Sequence, residues 1–142
     1  EIMFEFLKKK STDKTDDKKT FIEVACLLIH ASKIDENYTE KEKAIISEAL
    51  MQLGSNKKDL NFILEEAEKI EQDSNQILDF TRSLKNEDKE TKYLIVESLW
   101  KIIFSDSTSD MYESNLMRRL TGLLYLSPKE VGDIKVKIKN SS

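Results

Sequence analysis

The sequence predicts an all-α fold: a compact bundle of about seven helices, two pseudo-symmetric three-helix units (about 20–71 and 87–139) joined by a middle helix. Three observations predict it. Apolar residues recur at three- and four-residue spacing from Phe21 almost to the C-terminus. Three glycines and one proline are too few for the tight turns of a β-rich chain. The second half of the chain repeats the pattern of the first at an offset of 71 residues.

The chain opens with an apolar patch and three lysines, "EIMFEFLKKK", followed by the polar run "STDKTDDKKT". Residues 1–19 read as an N-terminal arm and a charged tether without hydrophobic periodicity. Met3 is a candidate native start, with Glu1 and Ile2 from an upstream extension or a cloning remnant. The folded domain is expected over 20–139, with 140–142 a fraying tail.

The first helix is expected over 20–33, with Phe21, Val24, Leu27, Leu28 and Ala31 on one face. The second, 40–53, carries Ile45, Ile46, Ala49, Leu50 and Leu53, and Gly54 follows as a stop. The third, 57–71, carries Leu60, Ile63, Leu64, Ala67 and Ile70. A fourth, 74–85, carries Ile77, Phe80, Thr81 and Leu84. The fifth, 87–104, is apolar round most of its circumference and holds Trp100, which marks it as central. The sixth, 111–125, shows Leu116, Met117, Leu120, Leu123 and Leu124. The seventh, 128–139, starts with Pro128 in its first turn; Ser127 and Glu130 form the S-x-x-E of a capping box.

Composition narrows the class. With 39% hydrophobic and 35% charged residues, the chain reads as a soluble folded domain rather than a disordered one. A net charge of −4 excludes a nucleic-acid footprint over the whole protein. The longest apolar run, "VACLLI" at 24–29, falls far short of the about 20 residues that span a bilayer. Cys26 is the only cysteine, so no internal disulfide forms, which suits a reducing compartment. A cytoplasmic protein is expected, with the arm offering a protein partner or a membrane surface a peripheral contact.

At the 71-residue offset, Asp35 falls on Asp106, Thr39 on Asp110 and Glu42 on Glu113. The pattern D-x-x-x-T/D-x-x-E thus occurs twice, each time between two helices. Two readings stand. Thr39–Glu42 and Asp110–Glu113 have the spacing of capping boxes, and acids there oppose the positive end of the helix dipole. Asp35 and Asp106, however, sit where a helix ends and an anion is disfavoured. A hard cation, Ca²⁺ or Mg²⁺ before Zn²⁺, would want several oxygens. Asp106, Asp110 and Glu113 with Thr108 offer them, and Asp35, Thr39 and Glu42 with Asn37 offer a second set. Neither copy is an EF-hand, which needs Gly at the sixth loop position and Glu at the twelfth.

Other candidates carry less. Cys26 and His30 lie four apart on one helix, but two ligands do not make a metal site; a buried thiol and a structural imidazole is the better reading. Arg82, Arg118 and Arg119 serve either an anion or neighbouring acids. "EEAEKIEQD" at 65–73 is a solvated helix face. No nucleophile–base set, phosphate loop or dinucleotide fingerprint is present, so no enzyme and no small-molecule substrate is expected.

The segments "IDENYTEKEKAII" (34–46) and "FSDSTSDMYESNLMRRLTGLLYLSPKE" (104–130), with "DFTRSL" and "VESLWKI", resemble the TerB-like domain family, named for a tellurite-resistance protein, and within it the stand-alone bacterial branch. The resemblance covers about residues 20–139. It implies an all-helical fold with internal pseudo-symmetry, a metal-linked role for the acids, and a non-enzymatic place in stress and tellurite-resistance systems associated with membranes. The family pattern is roughly A-D-G-x-I/L-D/S-x-x-E, used twice. Here Glu36 and Ser107 stand in place of its Gly, and Thr39 stands where an acid is common.

Overall fold

The computed structural model describes residues 18–33, 38–73, 78–105 and 111–141, with backbone only at 78, 79 and 111–114. Among them there is no strand. Helix α1 covers 18–33. It is followed by α2 (Glu40–Gln52), a 3-10 turn (Lys57–Asp59) that runs into α3 (Leu60–Asp73), and α4 (Leu78–Thr81). A second 3-10 turn (Leu84–Asn86) leads to α5 (Lys89–Ser105), α6 (Met111–Leu123) and α7 (Pro128–Ser141). None of these helices is long and apolar enough to cross a membrane.

Among the described residues six helices span thirteen residues or more, and the fourth ends at Thr81. Of the helix expected over 74–85, the described part is one α-turn and one 3-10 turn. Phe80, Thr81 and Leu84 are its buried residues. They lie within five positions, so the α-turn and the 3-10 turn after it deliver them all to the core. At the other end, α7 runs to Ser141, into the stretch expected to fray.

Two helices form the centre. Helix α5 buries Ile95, Val96, Leu99, Trp100, Ile102 and Ile103, as its composition predicts. Helix α1 buries every residue from Val24 to Ile29. It is as central as α5, although its periodicity predicts a single apolar face. Asp88 starts α5 by accepting the Thr91 amide at 2.8 Å. Against α5 lie α2 and α7. The Trp100 indole donates to the Val131 carbonyl at 3.2 Å, which fixes α5 to α7 and satisfies the one polar atom of a buried ring.

One expected core position is outside. Ile70 is 43% exposed, while its neighbour Glu71 is buried. The inward place at this end of α3 is taken by a carboxylate and its partners: Glu71 pairs with Lys33 at 2.7 Å and lies within hydrogen-bond distance of His30 at 3.2 Å. A buried carboxylate needs such partners, and satisfying it turns Ile70 to solvent.

Helices α2 and α6 both span thirteen residues. Both end in the same pair of backbone bonds. In the first, the amides of Gly54 and Ser55 donate to the carbonyls of Met51 and Leu50. In the second, Tyr125 and Leu126 donate to Gly122 and Thr121. Each is a Schellman turn, and it requires positive φ at one residue: 113° at Gly54 and 58° at Tyr125.

Candidate functional site

Of the six candidate acid and cap residues, Asp35, Asp106 and Asp110 lie outside the described residues, as do Asn37 and Thr108. Glu113 lies on α6, with its side chain outside the description. Thr39 and Glu42 are fully placed, so the site can be built from its first half.

Thr39 is extended (φ −105°, ψ −178°) and caps α2, and the T-x-x-E box forms. The Thr39 amide donates to Glu42 Oε2 at 3.0 Å, and the Thr39 hydroxyl donates to the same oxygen. The other carboxylate oxygen faces Ser105, whose hydroxyl lies 3.2 Å from Glu42 Oε1 and 2.6 Å from the Ile102 carbonyl. Lys41 donates to the Ser105 carbonyl at 2.9 Å. The start of α2 is thus tied to the end of α5, and Ser105 is the residue before Asp106 in the chain. Sequence reasoning missed Ser105, since nothing local marks a contact across 63 positions.

Glu42 is only 4% exposed. Burial pushes its carboxyl up, yet the Thr39 hydroxyl, the Thr39 amide, its own amide and the Ser105 hydroxyl outweigh that and hold it below the usual carboxylate range. It is an anion at neutral pH. Among the described residues no basic side chain pairs with it. Among the described residues its charge is balanced by hydroxyls, amides and the helix N-terminus.

The second capping box, at α7, is built alike and surrounded differently. The Ser127 amide donates to Glu130 Oε1 at 3.0 Å, and the Glu130 amide to Ser127 Oγ at 3.1 Å. Lys89 reaches Glu130 Oε2 at 3.1 Å, and the Tyr93 hydroxyl donates to the same atom. Led by the Tyr93 bond, these donors pull the Glu130 carboxyl down to about 2.

Cys26 and His30 do not converge. The Cys26 thiol donates to the Ala67 carbonyl at 3.5 Å, and burial pushes it up to about 12, too high for a ready thiolate. His30 turns instead to Glu71 and packs against Phe80, with ring centroids 5.6 Å apart. Among the described residues, no three His, Cys, Asp or Glu side chains gather as a metal site. Tyr38, just before the first box, donates to Glu68 at 2.6 Å and lies under Lys43.

Comparison with known proteins gives one match. No curated protein and no solved structure matches the chain. The model of the family described as tellurite resistance protein TerB matches residues 21–136, from the first turns of α1 into α7. That span takes in both capping boxes, both Schellman turns and the buried Glu42, and the chain therefore belongs to the TerB family.

Proposed function

We propose that this domain is a divalent-cation-responsive module, binding rather than catalytic, that serves a tellurite-resistance or stress system in the cytoplasm or at the membrane surface. Asp106, Asp110 and Glu113 form the principal ligand set for Ca²⁺ or Mg²⁺; Asp35, Thr39 and Glu42 form the second. The observation that carries this reading is Glu42. A buried carboxylate kept ionised, with no cationic side chain paired to it among the described residues, generates a negative potential in a low-dielectric place. It does so one hydrogen bond from the residue that leads into Asp106. A hard cation with oxygen ligands answers that potential.

The reading also draws on a duplicated architecture. Helices α2 and α6 are equal in length and 71 positions apart at both ends. The positive-φ residues Gly54 and Tyr125 are separated by the same interval. These coincidences support two equivalent units, each with an acidic turn.

The test is calorimetry on chelator-stripped protein, titrated with Ca²⁺, then Mg²⁺ and Zn²⁺, beside Asp106→Asn. Saturable heat that the variant loses is the expected result. No heat with any ion, from protein that is folded by circular dichroism, would reduce both turns to helix caps.

A metal-free scaffold is the second reading, favoured by the exposed apolar side chains Phe62, Ile70, Tyr125 and Val136. In that reading the N-terminal arm joins them in docking on a protein or membrane. Unchanged membrane association and pull-down partners after removal of residues 1–17 would take the arm out of it.

A further inference from the structure

Helices α5, α6 and α7 leave an open groove of about 280 Å³. Trp100, Met117, Val131 and Pro128 make it apolar, and Arg118 and Lys135 stand on it as cations. The Lys135 ammonium lies 5.1 Å from the centre of the Trp100 ring. Neither cation has an acidic partner among the described residues. Helix α7 as a whole is basic, with four lysines against Glu130 and Asp133.

Helix α3 has the opposite character, with five acids against Lys69. Glu68 and Glu71 are engaged with Tyr38, Lys43, His30 and Lys33, which leaves Glu65 and Asp73 exposed and Glu66 half-buried, paired at 3.9 Å with Lys69 on its own helix. On the same outer side Phe62 and Ile70 are 49% and 43% exposed. They stand two turns apart with Glu66 midway, so apolar, acidic and apolar groups follow one line along the helix. Helix α3 is bonded to α1 through Cys26 and His30, whereas α7 is bonded to α5 through Trp100. One molecule therefore presents both surfaces at once, on different central helices.

We propose that copies of this chain associate head to tail, the α3 stripe of one copy seating in the α5–α6–α7 groove of the next. Phe62 and Ile70 cover the Trp100 floor, and Glu65 and Glu66 meet Arg118 and Lys135. The charges set orientation and encounter rate, while the apolar floor supplies a dry centre. Because the two surfaces differ, the contact is heterologous: a second copy leaves one of each surface free, and assembly continues or closes as a ring.

Sedimentation of the full chain tests this, over a concentration series at low and at high salt. The expected wild-type mass rises from one chain toward two and more with concentration at low salt, and falls back when salt screens the charges. Two double variants follow, Arg118→Glu with Lys135→Glu and Glu65→Lys with Glu66→Lys, both checked by circular dichroism. Each alone is expected to remain a single chain. Mixed, the groove variant offers an intact stripe to the intact groove of the stripe variant, and the reversed groove meets a reversed stripe of opposite sign. The mixture then regains the concentration-dependent rise in mass of the wild type. A wild type that stays monomeric at low salt overturns the proposal, even if a free peptide with the α3 sequence still fills the groove, which would make a foreign acidic helix the occupant. Variants that associate as the wild type does, or that give no complex when mixed, overturn it as well.

Discussion

The two halves of this molecule use the same local devices and surround them differently. Thr39–Glu42 and Ser127–Glu130 are both capping boxes, and in each the glutamate takes the cap amide at 3.0 Å. Glu130 then meets a lysine and a phenol near the surface. Glu42 is buried at the end of α5, and its donors among the described residues are neutral. The helix turns end alike too, but Gly54 holds positive φ in one and Tyr125 in the other. A motif fixes what a residue does to its own helix; its neighbours in space decide what else its charge can do.

The largest effect is expected at Glu42. Glu42→Ala removes a cap, typically worth about 1 kcal/mol, and a charge-assisted bond that ties α2 to α5. A loss of roughly 2–3 kcal/mol in denaturant unfolding follows from the two together. Ser105→Ala on the Glu42→Ala background should add much less than it does alone, since the two share one interaction. A loss below about 0.5 kcal/mol would break the contrast between the halves and make Glu42 an ordinary surface cap.

Glu130 should reveal itself through pH. Its carboxyl lies near 2 in the fold against an ordinary 4.5, chiefly because Tyr93, Ser127 and Lys89 donate to the ionised form. A depressed carboxyl contributes stability that is complete above its ordinary value and is lost as pH falls from 4.5 toward 2. Glu130→Gln should therefore flatten the fall of the melting temperature across that window. An unchanged acid limb would show that the bonds to Tyr93 and Lys89 do not persist in solution.

The comparison also separates what was legible in the sequence from what was not. The T-x-x-E and S-x-x-E boxes, Pro128 in the first turn of α7 and Gly54 after α2 were readable because each acts within four residues of itself. The central place of α5 was readable because apolar residues ring it. Ile70 was misplaced because the partners of Glu71 lie on α1, 41 positions away for His30, and no local pattern announces them. The end of α4 at Thr81 escaped for a similar reason: Phe80 and Leu84 reach the core from an α-turn and the 3-10 turn after it, and spacing alone does not say how far a helix continues. Ser105 joins Glu42 only once α2 lies on α5. The acidic turns pair through the offset in the sequence, Asp35, Asp106 and Asp110 lie outside the described residues, and spacing does not distinguish a cap from a ligand.

The smallest effect is the most pointed. Tyr125 holds φ 58°, a conformation that penalises a residue bearing a Cβ by about 1–2 kcal/mol. Its counterpart in the first half is glycine, so Tyr125→Gly looks like simple relief. Three terms compete, however. The ring lies 5.8 Å from both Lys85 and Lys92, and an exposed cation–π contact is worth about 0.5–1 kcal/mol. Glycine also loosens the unfolded chain, which takes back up to about 1 kcal/mol. The expected change is therefore within about 0.5 kcal/mol of zero, despite a strained backbone. A gain above 1 kcal/mol would mean that the lysines contribute nothing. A comparable loss would mean that they hold the α6–α7 turn in place, in which case Lys92→Ala on the Tyr125→Gly background should cost nothing more.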